Sequence, residues 1–459
     1  MRVLFATAEL APLAAVGGLA HAAAGLVREL RAQGVDVEVV LPDYAGLELE
    51  DEESLALETP GWASPAVARR GVHPSFGPLT LVWTPVIPRP HPYLDGRGEG
   101  WPDNDVRFLS FSAAVAALAF ATRPDVVHLN DWHTAAASAW TAGQVPTVLS
   151  IHNLAHQGST GQEWLGVLGL HAGAFDWGGA CNPLAGAIAL AEAIVVVSPT
   201  YREEVLGPET GAGLDWRLRE REHVLVGIRN GIDVDVWNPL RDAHVPVPFG
   251  PDDLSGKEQA HRALLLRVGL PERLGPLAVA VTRLTHQKGI DLLVPILADL
   301  EELDAQAAIL GAGEEWLVGA LREVAASRPA SVAFVEGYDE PLSHLFFAGG
   351  DFLLMPSRFE PCGLAQMQAM RYGTLPVVTD VGGLHDTVID LDEDPERGTG
   401  WRAAVPETPA LREALGRASR MWWDPVLRES AQRRAMTADW SWQEPAAAHV
   451  ELYRRLSGR

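Results

Sequence analysis

The sequence predicts an α/β protein built from two doubly wound parallel-sheet domains in tandem. At 459 residues the chain is too long for one ordinary core and suits two domains of roughly 200 residues. Short apolar runs of strand length alternate with helix-length segments, and the runs are continuous, as strands buried on both faces of a parallel sheet require. The alternation stops once, in a Pro/Asp/Gly-rich stretch, and then restarts.

The first half of the chain contains five predicted strands, with a predicted helix between the first two. The strands are RVLFATA (2–8), VDVEVVLP (35–42), VVHLN (126–130), TVLSIHN (147–153) and AIVVVS (193–198). Apolar residues recur every three or four positions over 18–34, and Gly34 suits a helix stop. This segment therefore predicts one β-α-β unit.

The stretch LRDAHVPVPFGPDD (240–253) has no periodicity, so we place the domain junction there. Five further strands follow: LAVAVTRL (277–284), AQAAILGAG (305–313), VAFVEGY (332–338), FLLMPS (352–357) and LPVVTD (375–380). The predicted domains are residues 1–240 and 241–435, facing each other across a cleft, with 436–459 as a separate terminal segment.

Composition and charge exclude several classes of partner. The formal net charge of −24 argues against a nucleic-acid backbone or an anionic membrane, since both would be repelled. Two cysteines, Cys181 and Cys362, make no disulfide framework or metal spacing, so a cytoplasmic location is expected. Glu9, Pro12 and the Gly17-Gly18 pair interrupt the apolar N-terminus, and no uninterrupted membrane-length segment is expected anywhere.

Two acidic runs are interpreted as solvated surface. LELEDEESLALE (47–58) is expected to lie on a solvated surface, and DLDEDPE (390–396) lacks the preceding strand that a transferase metal site on Asp-x-Asp would have. No metal site is therefore predicted.

The clearest candidate for chemistry is RLTHQKGID (283–291). Lys288 is one of only two lysines in the chain, whereas 34 of the 36 basic residues are arginine. Arg283 ends the predicted strand before it, and ligands of open α/β sheets bind at the carboxyl ends of strands. Arg283 and Lys288 are therefore candidate cations for a bound anion.

A second candidate is MPSRFEPCGLAQMQAM (355–370), in which a strand runs into a turn and a helix opens at GLAQMQAM. The backbone N–H groups of Cys362, Gly363 and Leu364 are expected to be free first-turn donors for an anion. Glu360 is better suited to accept hydrogen bonds from sugar hydroxyls or to steady positive charge on a sugar ring. Cys362 is interpreted as a small filler rather than a nucleophile.

The first half carries weaker candidates. SIHNLAHQG (150–158) places His152 and Asn153 at a strand end, and NGID (230–233) offers Asn230 in a turn. PLAAVGGLAHAA (12–23) resembles a phosphate-binding glycine turn around Gly17 and Gly18. It has alanine, however, where a cation would help.

Together these motifs resemble the bacterial glycogen synthase and plant starch synthase family, retaining glucosyltransferases of the GT-B fold. The resemblance covers nearly the whole chain and is most specific in SRFEPCGL and RYGTLPVV. Other motifs that the chain shares with the family are VGGLA, VVHLNDWHT, NPLAGAI, VVSPTYREEV, NGIDVDVWNP, ILGAG and GGLHDTV. The terminal DWSWQEPAAAHVELYRRL (439–456) resembles the closing helix of the family, which crosses back to the first domain.

The resemblance implies transfer of glucose from ADP-glucose to the non-reducing end of an α-1,4-glucan such as glycogen, with retention, no metal and no other cofactor. Arg283 and Lys288 would then neutralise the diphosphate, helped by the amides of Gly18 and of residues 362–364. Glu360 would hold glucose hydroxyls, His152 would contact the donor sugar, and Asn153 and Asn230 would hold its remaining polar groups. No covalent nucleophile and no oligomeric state are specified.

Three positions depart from the family pattern. Ala15 stands where the family has lysine, His21 where it often has an acid, and Ala185 where NPLKGG has lysine. Losing one charge-assisted contact to phosphate would cost on the order of 1.5 to 3 kcal/mol, or roughly ten- to a hundredfold. A protonated His21 would restore positive charge, and activity would then rise as pH falls toward 6.

Two alternatives stay open. One is a related retaining transferase that uses another nucleotide sugar or a short acceptor such as glucose 1-phosphate, which a donor panel would reveal. The other is a catalytically weak glucan-binding paralogue. Arg283, Lys288 and Glu360 argue against the paralogue, because a binding module needs no diphosphate clamp.

Overall fold

The chain folds into two compact α/β units, in a computed structural model that describes residues 1–458. Unit 1 comprises Met1–Gly231 and the described residues from Trp442 onward, and unit 2 comprises Ile232–Ser441. The predicted class, two parallel-sheet domains, is confirmed. Each unit is described separately below.

Unit 1 is built on a nine-stranded sheet whose order is β11-β10-β7-β6-β1-β2-β5-β4-β3. The strands are β1 (Arg2–Ala6), β2 (Asp36–Pro42), β3 (Glu50–Leu57), β4 (Ala66–His73), β5 (Gly77–Trp83), β6 (Val126–Asn130), β7 (Thr147–Ile151), β10 (Ala193–Val196) and β11 (Leu225–Gly227), with β8 (Asp176–Trp177) and β9 (Ala180–Cys181) forming a separate hairpin. All five strands predicted for this half are present, and they pair in parallel.

The edge formed by β3, β4 and β5 was missed by the sequence analysis. These strands pair antiparallel, and β3 contains the acidic run 50–57, whose side chains are nearly all exposed. The interpretation of this run as solvated is therefore right, but the run is also an edge strand. Charged side chains on an edge strand discourage pairing with other chains, and they conceal the strand from an apolar pattern search.

The part of unit 1 up to Gly231 contains eight α-helices: α1 (Gly18–Ala32), α2 (Asn104–Thr122), α3 (Trp132–Ala135), α4 (Ser138–Thr141), α5 (Ala172–Phe175), α6 (Pro183–Leu190), α7 (Pro199–Glu204) and α8 (Asp215–Glu220). Helix α1 confirms the prediction for 18–34, and Gly34 follows it with φ of 83°.

Helix α2 is long and apolar enough to cross a membrane by length and composition, which corrects the expectation of no such segment. Its apolar side chains face the protein instead, because 67 % of that stretch is buried inside the fold.

Unit 2 is built on a six-stranded, wholly parallel sheet of order β14-β13-β12-β15-β16-β17. Its strands are β12 (Leu277–Val281), β13 (Gln306–Gly311), β14 (Val332–Glu336), β15 (Phe352–Met355), β16 (Leu375–Thr379) and β17 (Trp401–Ala403). Its helices are α9 (Ser255–Val268), α10 (Ile290–Ala298), α11 (Glu315–Ser327), α12 (Glu340–Gly349), α13 (Ala365–Arg371), α14 (Gly382–Thr387), α15 (Thr408–Trp422) and α16 (Pro425–Thr437). The five strands predicted for this half are confirmed.

The chain then returns to unit 1 through α17 (Gln443–Ser457). Trp442 lies against α1 at Gly25, where an added Cβ would come within 2.0 Å of the indole Nε1. Tyr453 donates or accepts a 2.6 Å hydrogen bond with Nδ1 of His128 on β6, and both side chains are buried. The last helix is thus part of the core of unit 1.

The unit boundaries differ from those predicted from sequence. The segment after Gly231 belongs to unit 2, because Trp237 stacks on His344 with ring centroids 4.0 Å apart and Asp242 accepts hydrogen bonds from Tyr372 and His344. The Pro- and Asp-rich stretch that looks like a linker is therefore packed against unit 2. The terminal segment begins at Trp442 rather than at 436.

The second acidic run forms a turn after α14, as expected for a loop. Asp390 at its start is nevertheless buried, and it accepts hydrogen bonds from the Arg417 guanidinium at 3.0 and 3.1 Å. Among residues 1–458 no group of three or more His, Cys, Asp or Glu side chains is arranged to hold a metal ion. Cys181 and Cys362 are both free, buried thiols.

Candidate functional site

Two loops at the carboxyl ends of β12 and β15 bring the strongest candidates of unit 2 together. Gly289, with φ of 65°, ends a 3-10 turn over His286–Lys288, and a Cβ there would lie 2.0 Å from the carbonyl oxygen of Pro356. Only glycine permits this approach without displacement. The Arg358 guanidinium fastens the two loops by binding both oxygens of Asp291 at 2.8 and 2.7 Å.

This contact places the Lys288 ammonium 2.5 Å from Oε2 of Glu360. The two side chains are 17 % and 6 % exposed, so the pair is largely desolvated and its charges interact strongly. Ser357 Oγ donates to the same carboxylate oxygen at 2.9 Å. The structure thus brings together two residues that lie 72 positions apart in the sequence, both of which were predicted to act on the same ligand.

Arg283 lies two residues beyond β12, and its side chain is exposed. Its guanidinium makes no ion pair with any side chain in residues 1–458, so it remains available to a ligand. Two cations five residues apart in one loop, one exposed and one half-buried, suit a ligand that carries more than one negative charge.

The loop after Glu360 differs from the prediction in one respect. Helix α13 begins at Ala365, with Leu364 as the residue before its first turn, so residues 362–364 lie in the loop and not in the helix. Gly363 has φ of 72°, and neither its amide nor that of Leu364 donates a hydrogen bond within the described chain. Both amides are therefore available donors, although the helix they precede has only seven residues.

The glycine turn of unit 1 is organised by a buried carboxylate that the sequence analysis did not identify. Glu9 Oε2 accepts the amide N–H groups of Val16 and Gly17 at 3.0 and 2.8 Å, and Tyr93 donates its hydroxyl to Oε1 at 2.8 Å. The Gly17 amide, which belongs to a predicted substrate-binding residue, donates to Glu9 and is therefore not available to a ligand. Gly18 opens α1, and its amide donates to no group in residues 1–458.

Ala15 and His21 flank this turn, and both are exposed. Neither introduces a permanent positive charge. The carboxylate that binds the amides of the turn, that of Glu9, is negative.

A second overlooked carboxylate supports His152 and Asn153. Asp131 follows β6 in a strained backbone conformation (φ 54°, ψ −175°). Its carboxylate accepts the backbone N–H of His152 at 2.7 Å and also that of Asn153. Burial raises the pKa of Asp131 to about 7, and the two N–H groups oppose that rise.

The His152 ring lies in a small pocket that Asn230 also lines, so the structure brings these two predicted residues together. Burial lowers the pKa of His152 to about 4, and the nearby His449 contributes in the same direction. The imidazole is therefore neutral at neutral pH. Asn153 instead uses its side-chain oxygen in a turn, accepting from Ala155 at 3.0 Å.

Unit 1 also contains an open pocket of about 580 Å³ between α2 and the loop that follows β7. Two indole rings, those of Trp101 and Trp132, line it together with polar groups from Asp105, Gln157 and Thr160. Flat aromatic rings combined with polar side chains are typical of surfaces that bind sugars or nucleobases. In unit 2 the ring of Tyr338, two residues past β14, is 75 % exposed.

Comparison with known proteins matches both units to families of glycosyltransferases. Residues 2–220 match the family model described as starch synthase catalytic domain, and residues 275–419 match glycosyl transferases group 1. The chain is 41 % identical to the glycogen synthase of Halorhodospira halophila, over 99 % of each chain, and 40 % identical to that of Methylocella silvestris, over 99 % of this chain and 98 % of the relative.

Among solved structures, the catalytic domain of starch synthase IV from Arabidopsis thaliana, bound to ADP and acarbose, superposes with a TM-score of 0.89 at 31 % identity. The match covers 100 % of this chain and 99 % of that one. Sucrose-phosphate synthase from Thermosynechococcus elongatus shares the fold, with a TM-score of 0.64 at 18 % identity.

Proposed function

Because the chain belongs to the glycogen synthase and starch synthase family, we propose that it transfers glucose from ADP-glucose to the non-reducing end of an α-1,4-glucan, with retention at the anomeric carbon. The observation that carries the proposal is the largely desolvated Lys288–Glu360 pair, with the exposed Arg283 five residues before Lys288 in the chain. A diphosphate needs cations, whereas the sugar attached to it needs a hydrogen-bond acceptor. Two loops of unit 2, which follow β12 and β15, supply both.

In the proposed reaction the bond between the anomeric carbon and the diphosphate oxygen breaks, and the oxygen of the acceptor hydroxyl forms a new bond to that carbon on the same face. The proton of the acceptor hydroxyl passes to the departing diphosphate. Arg283 and Lys288 stabilise the charge that develops on the departing ADP, and the amides of Gly363 and Leu364 add neutral donors. Glu360 stabilises the positive charge on the sugar ring and accepts from its hydroxyls. No covalent intermediate with the protein is required.

Unit 1 contributes sugar contacts in the proposal. His152, Asn153 and Asn230 hold polar groups of the donor glucose, and Gly18 contributes one amide. Gly17 contributes backbone shape only, because Glu9 holds its N–H. The pocket between Trp101 and Trp132 is large enough for glucose units of the acceptor glucan.

The nucleobase of the donor is assigned to Tyr338, whose exposed ring can stack on adenine. We also propose that the reaction proceeds without a metal ion, since Arg283 and Lys288 supply positive charge to the diphosphate. Full activity in excess EDTA is then expected. A cytoplasmic location fits the two free thiols.

The test is to incubate purified protein with glycogen and either ADP-glucose or UDP-glucose, measuring glucose incorporated and nucleotide released. Incorporation from ADP-glucose is expected, with large losses in Lys288→Ala and Glu360→Ala. Arg262→Ala is the matched control, because Arg262 is a basic residue of the same unit whose ion pair with Glu272 is exposed. Binding of glycogen without use of either donor would contradict the proposal and would direct attention to Ala15 and His21, other donors and short acceptors.

A further inference from the structure

The ring of His152 has a neighbour whose hydrogen-bonding role is fixed. Nε2 of His152 lies 3.0 Å from Oδ1 of Asn130, the last residue of β6. Strands β6 and β7 are paired, with Asn130 opposite Ser150, so the contact spans adjacent strand ends. The contact alone does not say which atom carries the proton, because an imidazole nitrogen either donates or accepts.

The orientation of the Asn130 amide decides this question. Nδ2 of Asn130 lies 3.0 Å from the carbonyl oxygen of Ala6 on β1, and the Asn130 backbone N–H donates to Thr134 Oγ1 at 2.7 Å. The side chain is 1 % exposed, so water does not compete for these contacts. A carbonyl oxygen only accepts, so the amide group that faces Ala6 must be the NH₂, and the Oδ1 oxygen must face His152.

An amide oxygen also only accepts, and therefore Nε2 of His152 must carry the proton in this contact. With its pKa lowered to about 4, the ring is neutral near pH 7 and holds a single proton. Nδ1 is then an unprotonated acceptor, and it has no partner in residues 1–458.

We propose that Asn130 is a positioning residue that fixes His152 in the Nε2–H tautomer, so that Nδ1 accepts a hydrogen bond from a hydroxyl of the bound sugar. The identity of that ligand as a sugar rests on the proposed function, whereas the tautomer does not. An accepting Nδ1 selects for a hydroxyl group and against a ligand atom that can only accept. His152 would therefore contribute sugar recognition rather than charge toward the diphosphate.

A nearby histidine provides an internal reference of opposite tautomer. Nδ1 of His449 on α17 lies 2.8 Å from the carbonyl oxygen of Pro445, so it is Nδ1 that carries the proton there. Burial lowers the pKa of His449 to about 4, and this ring is also neutral near pH 7. The two rings should thus give opposite patterns in one spectrum.

The test is nitrogen-15 NMR of the histidine rings of the whole protein at pH 7, in which protonated and unprotonated ring nitrogens resonate far apart. His152→Gln and His449→Gln identify the two sets of signals. The expected result is Nε2–H for His152 and Nδ1–H for His449. Finding Nδ1–H at His152 in the unsubstituted protein would overturn the proposal, and this measurement needs no variant of Asn130.

Variants then test whether Asn130 is the cause. Asn130→Leu removes the acceptor and should give a tautomer mixture at His152 alone, whereas Asn130→Asp retains an acceptor and should keep Nε2–H. Ser150→Ala is the matched control, because it removes a buried partner of His128 on the same strand pair without touching the amide. An unchanged His152 signal in folded Asn130→Leu would refute the role of Asn130.

Kinetics locate the hydroxyl that Nδ1 contacts. Deoxyfluoro analogues of ADP-glucose, each with one glucose hydroxyl replaced by fluorine, remove one hydrogen-bond donor at a time. At one position the loss of kcat/KM, roughly tenfold in the unsubstituted protein, should be smaller in Asn130→Leu, because only part of the His152 population then presents an unprotonated Nδ1. Equal losses at every position in both proteins would overturn the sugar contact. The correct tautomer in a protein without transferase activity would instead count against the proposed function alone.

Discussion

Replacing Lys257 by methionine tests how the interior of unit 2 holds a positive charge. The ammonium is 7 % exposed, and four oxygens surround it: Ala348 O at 3.1 Å, Gly350 O at 2.8 Å, Tyr372 O at 2.9 Å and Thr374 Oγ1 at 2.9 Å. Methionine has similar length and flexibility but no charge and no donor. The substitution therefore removes the titrating group with little change in volume.

The magnitude follows from linkage between protonation and folding. Burial lowers the pKa of Lys257 from 10.5 to about 7, so between these values the unfolded chain binds a proton that the folded chain does not. Raising the pH through this window therefore stabilises the folded protein. At about 1.4 kcal/mol per pH unit, moving from pH 7 to pH 9.5 should add about 3 kcal/mol to the unfolding free energy of the natural protein relative to Lys257→Met.

The assay is urea denaturation of both proteins at pH 7 and pH 9.5, followed by tryptophan fluorescence and far-ultraviolet circular dichroism. Charges common to both proteins cancel in the difference, so only Lys257 contributes to the change. Parallel behaviour of the two proteins across this window would refute the reasoning. It would mean that the four oxygens compensate the ammonium fully for its loss of water.

Two further outcomes are expected. Lys288→Ala should lower kcat/KM for ADP-glucose roughly ten- to a hundredfold, since it removes one charge-assisted contact, and an unchanged value would exclude Lys288 from the diphosphate site. Gly25→Ala should lower the urea midpoint, because its Cβ would meet Trp442 at 2.0 Å, whereas Gly319→Ala, which meets nothing within 4 Å, should not.

The strands were predictable because strands buried on both faces leave continuous apolar runs. Predicted strands such as 147–153 and 352–357 extend two residues too far, because their last two residues lie in the loops of the candidate site. Strand β3 was missed because it is exposed and acidic and keeps few apolar residues, whereas β5 is largely buried and was missed in spite of its apolar residues. The composition of 240–253 suggested a linker, but only the fold shows that Trp237 and Asp242 anchor that region to unit 2.

The candidate site was predictable where chemistry coincides with composition. Lysine is rare in this arginine-rich chain, and both lysines occupy positions where a compact ammonium makes short contacts. Lys288 contacts Glu360, and Lys257 contacts four oxygens. Glu9 and Asp131 escaped notice because their roles depend on loop geometry: one reaches amides seven and eight residues onward, and the other requires a positive φ. Sequence spacing contains neither fact.

The return of the chain to unit 1 through α17 constrains the order in which this protein can be made. While the ribosome synthesises unit 2, His128 lacks its partner Tyr453, and the crevice at Gly25 lacks Trp442. The sheet of unit 1 keeps apolar surface exposed until the residues beyond Ser441 have left the ribosome. Unit 2 is contiguous in sequence and can fold before then, so unit 1, which is synthesised first, completes its folding last.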